Sequence, residues 1–318
     1  MSLPTFVDVE DAYKRINSYV KHTPVMTSKN LDFLTGAKLF FKCENFQLAG
    51  AFKFRGAQNA ISQLSKEEAA KGVATHSSGN FAQALAKAAL FRGITPYIVM
   101  PVNSPSVKKN AVKYYGGRIE YCQPSLKARE ESLKKVIRKT KATFIHPYND
   151  FHVIAGQGTA AYELLKEVED LDYIICPIGG GGLISGTLLA VEGLSPKTKV
   201  IAAEPLGADD ALRSWKEGRI IPSEDPQTIC DGLLTSLGEL TYPIIKEYVY
   251  NILTVEDTST INAMKLIWER MKIIVEPSAA IALGLLIQYK GFLNCRVGVI
   301  LSGGNVDLEN LPWIKKNA

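Results

Sequence analysis

The sequence predicts an α/β protein with two lobes, built from parallel-rich sheets covered by helices, with a ligand site in the cleft between the lobes. Short runs of β-branched and aromatic residues alternate with helical patterns along almost the whole chain, which is typical of parallel sheets with helical crossovers. Loops rich in glycine, serine and asparagine directly follow several of these runs. In open α/β sheets, such loops at the carboxyl ends of strands bind ligands.

The predicted elements follow one another without a repeat or a long linker. We predict strands at 38–43, 73–76, 97–100, 119–122, 173–178, 199–203, 251–254 and 296–301, and helices at 52–65, 80–91, 108–115, 129–139 and 183–191. A chain of 318 residues is long enough for two domains. Two lobes without a linker indicate an insertion, which leaves a cleft. We therefore predict a small mobile domain, 68–151, inserted in a large cofactor-binding domain, 1–67 and 152–318.

Composition excludes several classes of protein. The net charge of +5 comes from 37 basic and 32 acidic residues that are scattered along the chain, so nucleic-acid binding is not expected. The longest uncharged stretch, 173–191, is interrupted by a proline and five glycines and does not resemble a membrane span. Acidic residues precede any apolar run near the N-terminus, so we expect no signal peptide and a cytoplasmic protein. The five cysteines are far apart, which argues against a disulfide framework or a zinc site.

The clearest local signal is Gly179-Gly180-Gly181-Gly182, between an apolar strand and a helical pattern that starts at Leu183. Consecutive glycines expose a row of backbone N–H groups, which at a helix N-terminus form a cradle for phosphate. A flexible turn is the alternative. Ser185 stands where the dinucleotide fingerprint requires a third glycine, and the Gly-Lys-Ser/Thr ending of a nucleotide P-loop is absent. We therefore predict a site for a single small phosphate monoester.

Two further loops and one lysine are also candidates for ligand binding. Ser77-Ser78-Gly79-Asn80 and Ser302-Gly303-Gly304-Asn305 each follow a predicted strand. The first suits a carboxylate or another anion, although a plain helix cap is the alternative. Lys53 lies between two phenylalanines at the start of a helix, where apolar neighbours depress the pKa of an amine and make it a nucleophile. An ordinary solvated lysine is the alternative. We expect these segments to converge on one cleft.

Together, these segments resemble a known family. Residues 50–57 (Gly-Ala-Phe-Lys-Phe-Arg-Gly-Ala), 77–80, 179–183 and 302–305, in this order and at these separations, resemble the β-family (fold type II) of pyridoxal-phosphate enzymes. The resemblance covers essentially the whole chain and extends to residues 22–25, 40–44, 154–159 and 275–278. Within the family, the chain is most similar to the serine racemases and the short threonine/serine dehydratases.

The resemblance implies roles for individual residues. Lys53 would carry pyridoxal 5'-phosphate as a Schiff base, and the other cofactor-binding residues would be Phe52, Asn80, Gly179, Gly180, Gly181, Gly182, Leu183 and Ser302. Asn80 would bond the phenolic oxygen and Ser302 the pyridine nitrogen. A neutral hydroxyl at that nitrogen makes the ring a weaker electron sink, which suits a short-lived carbanion. The implied substrate-binding residues are Ser77, Ser78, Gly79, Asn80 and Arg129.

Ser78 favours a racemase over a dehydratase. Racemisation needs a proton donor and acceptor on each face of a planar carbanion, and Lys53 serves one face. The resemblance assigns the other face to Ser78, where dehydratases of this fold have alanine, although a serine here also suits a helix cap. We predict interconversion of L- and D-serine with accompanying β-elimination to pyruvate and ammonia. The alternative is an L-threonine/L-serine dehydratase with little racemase activity.

Two functions from other classes of protein have less support. The failed fingerprint argues against an NAD-dependent oxidoreductase, and Lys53 argues against a non-catalytic sensor of small ligands.

The resemblance also implies sites away from the cofactor. Glu204, the Ala208 carbonyl and Asp210 would bind Mg²⁺, or Ca²⁺ or Mn²⁺, as an oxygen-only ligand set, with Asp172 nearby through water. A charged surface turn is the alternative there. ATP would act as an allosteric activator at the subunit interface of a homodimer, and the implied contacts are Ser28, Gln83, Tyr115, Lys272 and Asn305.

The sequence departs from the pattern of the serine racemases at three positions near the cofactor. Ala51 replaces a serine, Phe81 a histidine and Tyr148 an asparagine.

Overall fold

Two sheets form the framework of the protein, in a computed structural model that describes residues 2–104 and 106–314. The six-stranded sheet has the order β1-β2-β10-β7-β8-β9, with β1 Val25–Met26, β2 Lys38–Cys43, β7 Tyr173–Pro177, β8 Lys199–Pro205, β9 Asn251–Val255 and β10 Arg296–Leu301. The four-stranded sheet has the order β5-β4-β3-β6, with β3 Val73–His76, β4 Pro96–Pro101, β5 Arg118–Cys122 and β6 Thr143–Phe144. Among the described strand pairs, only β1 with β2 is antiparallel.

Helices cover both sheets. They are α1 Phe6–Ile16, α2 Lys29–Thr35, α3 Lys53–Ser62, α4 Lys66–Lys71, α5 Asn80–Phe91, α6 Ser106–Tyr114, α7 Leu126–Thr140, α8 Phe151–Glu167, α9 Gly182–Leu194, α10 Asp210–Glu217, α11 Thr241–Tyr248, α12 Asp257–Met271 and α13 Pro277–Gln288. Short 3₁₀ turns lie at Glu44–Phe46, Leu48–Gly50, Leu206–Ala208 and Leu308–Asn310. Within the described ranges, no helix combines the length and the apolar character that a membrane crossing needs.

The predicted α/β class with parallel-rich sheets is confirmed, and the elements that were predicted agree with the structure within a few residues. Eight of the described helices were not predicted: α1, α2, α4, α8 and α10 to α13. Strands β1 and β6 were not predicted, because two residues are too short to display an alternating pattern. Helix α7 begins at Leu126 instead of residue 129, since the Ser125 hydroxyl accepts a hydrogen bond from the Ala128 N–H at 3.2 Å and caps the helix earlier.

The strands of the smaller sheet, 73–144, all come from the predicted insertion. Helix α3, however, lies outside that segment and still contributes Phe54, Ala57 and Ile61 to the apolar core beside this sheet. Helix α3 therefore joins the two halves of the molecule. The exact lobe boundaries and the mobility of the small lobe stay predictions.

Glycines allow three helices to pack with their backbones in contact. A Cβ on Gly156 of α8 would lie 2.7 Å from the Cα of Gly56 on α3. A Cβ on Gly186 of α9 would lie 2.4 Å from the backbone nitrogen of Gly158 on α8. Any side chain at these crossings would push the helices apart. Helix α3, which carries Lys53, is thus held at a fixed position relative to α9, which begins at the tetraglycine segment.

A buried ion cluster fixes α3 from the other side. The Arg55 guanidinium donates to the Glu44 carboxylate at 2.7 Å and to both oxygens of Glu163 at 2.7 Å. Lys42 Nζ lies 2.7 Å from Glu163 Oε2. All four side chains are buried. Burial alone lowers the pKa of Arg55, but the carboxylates of Glu44 and Glu163 outweigh burial and raise it. Arg55 therefore stays charged and fully paired.

We expect Arg55→Met to lower the free energy of unfolding by about 3–5 kcal/mol, because it leaves the buried Glu44 carboxylate without a charged partner and leaves Glu163 with Lys42 alone. Urea denaturation of the variant and the wild type measures this change. The control is Lys71→Met, which breaks the exposed pair of Lys71 with Glu67 and should cost less than about 1 kcal/mol. Equal effects of the two substitutions would contradict the structural importance of the cluster.

Candidate active site

Lys53 is the first residue of α3 and points into a desolvated space. Its Nζ donates to the Pro147 carbonyl at 3.0 Å and lies 5.0 Å from the Phe52 ring centroid and 5.9 Å from the Phe81 ring centroid. Burial lowers the pKa of Lys53 to about 8, against the opposing effect of the Glu276 carboxyl. A substantial fraction of the amine is therefore neutral near physiological pH, as a nucleophile or Schiff-base amine requires.

The tetraglycine segment lies between the end of β7 and the start of α9, and Gly181 has a left-handed φ of +89°. Within the described part of the chain, the N–H groups of Gly179, Gly180 and Gly181 donate to no protein acceptor. Free N–H groups at a helix N-terminus attract an anion. The segment therefore fits the phosphate group that the sequence predicts there.

The Ser77–Asn80 loop connects β3 to α5. The N-cap of α5 is Gly79, and its N–H donates to Ser77 Oγ at 3.3 Å. Among the described residues, the Ser78 hydroxyl has no hydrogen-bond partner, and no side chain caps α5. The alternative in which Ser78 serves as a helix cap is therefore not supported, and its partly buried hydroxyl is free for other contacts.

A chain of side-chain hydrogen bonds determines how the Asn80 amide is oriented. Asn305 Nδ2 donates to the Ala49 carbonyl at 2.8 Å and to Asn80 Oδ1 at 3.0 Å. A carbonyl can only accept, so the nitrogen of Asn305 is identified, and the Asn80 oxygen must be the acceptor. Asn80 Nδ2 then donates to Glu276 Oε1 at 2.7 Å. Its second hydrogen remains for the phenolic oxygen that the family resemblance assigns to Asn80.

Glu276 is a functional residue that sequence reasoning missed. It immediately precedes α13, and its buried Oε2 has no partner among the described residues. Burial, with a smaller contribution from Asp231, raises the pKa of Glu276 to about 8. The available signal was an acid in front of the Pro-Ser start of an apolar helix. Such a residue looks like an ordinary helix N-terminus until its distant partner Asn80 is known.

Ser302 also lies in this region and is buried. Its hydroxyl donates to the Ser278 carbonyl at 3.3 Å, a long bond that rotation of the hydroxyl can exchange for another acceptor. The neighbouring Gly303 pairs with Ala51, two residues before Lys53. The Ser302–Asn305 loop and the start of α3 are therefore adjacent, as the sequence predicts for segments of one cleft.

Residues 146–149 contact Lys53 and the tetraglycine segment and lie near the Ser77–Asn80 loop. This connecting role was not predicted from the sequence. Pro147 accepts from Lys53, and Tyr148 packs on the tetraglycine segment. The His146 ring lies 5.7 Å from the ring of His76, the last residue before the Ser77–Asn80 loop. Burial, then His76 and Lys53, lower the pKa of His146 to about 3, so this imidazole stays neutral.

Arg129 lies in α7, near His76. Burial is the main cause that lowers the pKa of the His76 imidazole, and the nearby charge of Arg129 lowers it further. The Nε of Arg129 is buried and has no partner among the described residues. A buried donor without an acceptor is costly, so this guanidinium suits an anionic ligand near the Ser77–Asn80 loop.

The predicted cation ligands lie at and just after the end of β8: Glu204 is in the strand, Ala208 is in the following 3₁₀ turn, and Asp210 starts α10. The Glu204 carboxylate accepts from the N–H groups of Ala211 and Leu212 at 2.7 and 2.9 Å. Asp210 Oδ2 is buried without a described partner. Burial raises the pKa of Glu204 to about 8 and that of Asp210 to about 6. Within the described ranges, no three His, Cys, Asp or Glu side chains are grouped so that they could hold a metal ion by themselves. Two buried carboxylates, one with an unpaired oxygen, fit a hard cation that also takes carbonyl and water oxygens.

The prediction that Asp172 lies near this cation is wrong. Asp172 precedes β7, where it accepts a hydrogen bond from the Arg296 N–H at 2.7 Å. Glu204 lies near the opposite end of the adjacent parallel strand, because Tyr173 pairs with Lys199 and Pro177 with Ala203. At about 3.3 Å per residue, the strand separates them by well over 10 Å.

The residues predicted for ATP come from separate elements. Ser28 precedes α2, Gln83 lies one turn after Asn80 in α5, Tyr115 follows α6, and Lys272 ends α12 with a φ of +61°. Asn305 forms part of the Asn80 network described above. The nucleotide site stays a prediction.

The fold and the site together define an enzyme that holds a small phosphorylated cofactor next to a reactive lysine. Residues 16–303 match the family model described as pyridoxal-phosphate dependent enzyme, and the chain belongs to this family. The family resemblance predicted from the sequence is confirmed.

Similar proteins include both racemases and dehydratases. A β-hydroxyaspartate dehydratase from Paracoccus denitrificans is 52% identical over 98% of this chain and 100% of its own length. The serine racemase of Dictyostelium discoideum is 49% identical over 99% of this chain and 98% of its own length. The structure of maize serine racemase superimposes with a TM-score of 0.95 at 46% identity, covering 97% of this chain and 95% of that chain.

We expect Lys53→Ala to abolish the visible absorbance of the bound cofactor and all turnover, because alanine removes the amine that would form the Schiff base. Absorption spectra of the purified, cofactor-treated protein and assays of turnover measure both effects. The control is Lys66→Ala, an exposed lysine at the start of α4, which should leave both unchanged. Turnover retained in Lys53→Ala would refute the assignment.

Proposed function

We propose that the protein interconverts L- and D-serine and also eliminates water from serine, giving pyruvate and ammonia. The proposal rests chiefly on Ser78, whose hydroxyl lacks a hydrogen-bond partner in the described part of the chain. Ser78 is three residues from Phe81, and the Phe81 ring lies 5.9 Å from Lys53 Nζ. Two groups that can carry a proton therefore come from different elements of one site. The serine racemases among the relatives support the same function.

Each side chain then has a defined task in the reaction. Pyridoxal phosphate, when bound, supplies the electron sink for the carbanion. Lys53 Nζ takes the Cα proton from one face, and Ser78 Oγ gives a proton to the other face; the reverse transfers convert D-serine to L-serine. The free N–H groups of the tetraglycine segment would hold the phosphate, and the second hydrogen of Asn80 Nδ2 would bond the phenolic oxygen. Ser302 offers the ring nitrogen a hydroxyl and no negative charge.

Dehydration of β-hydroxyaspartate is a second candidate function. It is favoured by the similarity to the dehydratase of Paracoccus denitrificans and by the unpaired buried Nε of Arg129. An arginine forms strong charge-assisted hydrogen bonds with a carboxylate, and this substrate carries a second carboxylate that serine lacks. A structure of an aspartate racemase, 36% identical with a TM-score of 0.92, also resembles this chain over 98% of both chains.

One substrate panel separates the candidates. The cofactor-loaded enzyme is incubated with L-serine, D-serine, L-threonine or β-hydroxyaspartate, and chiral and keto-acid products are quantified. Interconversion of the serine enantiomers together with pyruvate supports the first candidate. Rapid consumption of β-hydroxyaspartate without D-serine formation supports the second. Keto acids from serine and threonine without D-serine would instead favour the threonine/serine dehydratase.

The two-base arrangement predicts a split effect of Ser78→Ala. Lys53 can still abstract the proton of L-serine, and the β-hydroxyl can still leave. The variant should therefore make pyruvate from L-serine but lose D-serine formation by about two to four orders of magnitude. It should also be nearly inert towards D-serine. Chiral analysis and pyruvate determination in the same reaction measure both rates.

The control is Ser65→Ala, which removes a genuine helix cap, since Ser65 Oγ accepts from the Glu68 N–H at 3.1 Å. That variant should lose about 1 kcal/mol of stability without a split between the two activities. Racemisation by Ser78→Ala at nearly the wild-type rate would refute the two-base arrangement.

We also propose that Mg²⁺, Ca²⁺ or Mn²⁺ binds at Glu204, the Ala208 carbonyl and Asp210. A ligand that binds only the folded state stabilises it by about 2.7 kcal/mol at a concentration one hundred times its Kd. Addition of excess Mg²⁺ after chelation should thus raise the melting temperature of the wild type. Asp210→Asn should abolish the rise, while Glu217→Gln, at the exposed end of the same helix, should keep it. An equal rise in Asp210→Asn would exclude this site.

Activation by ATP, assembly as a homodimer and a cytoplasmic location stay predictions from the sequence.

A further inference from the structure

Tyr148 fills the space beside the tetraglycine segment. A Cβ on Gly180 would lie 2.5 Å from Tyr148 Cγ and 2.6 Å from both Cδ atoms. A Cβ on Gly182 would lie 2.9 Å from Tyr148 Cβ. Real Cβ atoms do not approach other heavy atoms so closely, so the ring occupies the volume that a side chain at position 180 would need. At two of the four positions, Gly180 and Gly182, any larger residue would therefore collide with Tyr148.

The tyrosine is itself held in place. Its N–H donates to His146 Nδ1 at 3.3 Å, and its ring lies edge-on to the His146 ring at 4.5 Å and 87°. On another side of the tetraglycine segment, Thr241 Oγ1 donates to the Gly180 carbonyl at 2.9 Å. Gly180 therefore lies between a fixed aromatic ring and a hydrogen bond.

The short segment that contains Tyr148, residues 147–149, also contacts Lys53. Pro147, the residue before Tyr148, accepts the hydrogen bond from Lys53 Nζ at 3.0 Å. Asn149, the residue after it, accepts from the Leu240 N–H at 2.8 Å, just before α11. Residues 147–149 thus connect the lysine that carries the cofactor with the backbone that receives its phosphate.

We propose that Tyr148 is a positioning residue of the phosphate site: its ring holds the backbone of Gly180 and Gly182 so that the free N–H groups face the phosphate before the cofactor binds. Glycine-rich backbone is flexible when unsupported, and a ligand that must order it loses affinity. This support concerns the cofactor and holds whichever amino acid is the substrate.

The test compares two cofactors that differ only in the phosphate. Apoenzyme variants are titrated with pyridoxal phosphate and with pyridoxal, and binding is followed by visible absorbance in the absence of substrate. Tyr148→Ala should weaken binding of pyridoxal phosphate by about tenfold or more, since preorganisation is lost, and change binding of pyridoxal little. Tyr148→Phe keeps the ring and should bind both like the wild type. Equal losses for the two cofactors, or no loss, would overturn the proposal.

A double-mutant cycle tests the contact itself. Gly180→Ala should weaken binding of pyridoxal phosphate because its methyl group meets the ring. In the Tyr148→Ala background the same substitution should cost much less, since the space is open. Additive effects would overturn the proposal. If Tyr148→Ala folds poorly, Tyr148→Leu in the same cycle serves instead.

A matched control uses another tyrosine. Tyr162 is buried against the rings of Phe6 and Tyr13, away from the site. Tyr162→Ala should lower thermal stability and leave the ratio of the two cofactor affinities unchanged. Because no substrate enters these measurements, their outcome is independent of whether the enzyme racemises serine.

Discussion

The buried contact of Arg55 with Glu44 and Glu163 determines where the reactive lysine lies. Arg55 is two residues after Lys53 on the same helix, and its partners come from the end of β2 and from α8. Together with the close contact of Gly56 and Gly156, these bonds fix the first turn of α3. Arg55 and Lys53 also differ in charge state because their surroundings differ. Arg55 is paired with carboxylates and stays charged, whereas Lys53 faces two aromatic rings and one weakly opposing carboxyl, and its amine becomes available.

The site combines this rigid framework with unsatisfied polar atoms. The N–H groups of Gly179 to Gly181, Oε2 of Glu276 and Nε of Arg129 all lack partners among the described residues. Unpaired buried polar atoms cost stability, and folded proteins keep few of them outside functional sites. The tetraglycine segment contacts Tyr148, next to the Pro147 that accepts from Lys53, and the Glu276 carboxyl is close enough to affect the pKa of Lys53. These unpaired groups suit a cofactor and a substrate. The Asn80 amide, in contrast, is fixed by its neighbours, so it presents one hydrogen in a defined direction.

The sequence predicted those parts of the site that consist of local signals. Three loops each follow a strand and have their binding groups within a few consecutive residues: the tetraglycine segment, the Ser77–Asn80 loop and the Ser302–Asn305 loop. Glu276 and His146 could not be found this way, because their meaning depends on partners far away in the chain, such as Asn80, 196 positions from Glu276. Tyr148 was noticed only as a departure from a pattern. The error about Asp172 came from the family resemblance, because the predicted parallel strands 173–178 and 199–203 already place Asp172 before one strand and Glu204 after the other.

The order of strands in the larger sheet has a consequence for biosynthesis. Strand β10, the last in the chain, lies in the middle of the sheet between β2 and β7. As the ribosome makes the protein from its N-terminus, β2 and β7 emerge long before the strand that separates them. The sheet cannot close, and Ser302 cannot reach the cofactor cleft, until residues 296–302 have left the exit tunnel. Until then the nascent chain keeps the facing edges of β2 and β7 unpaired, which exposes it to aggregation and gives chaperones an opportunity to act.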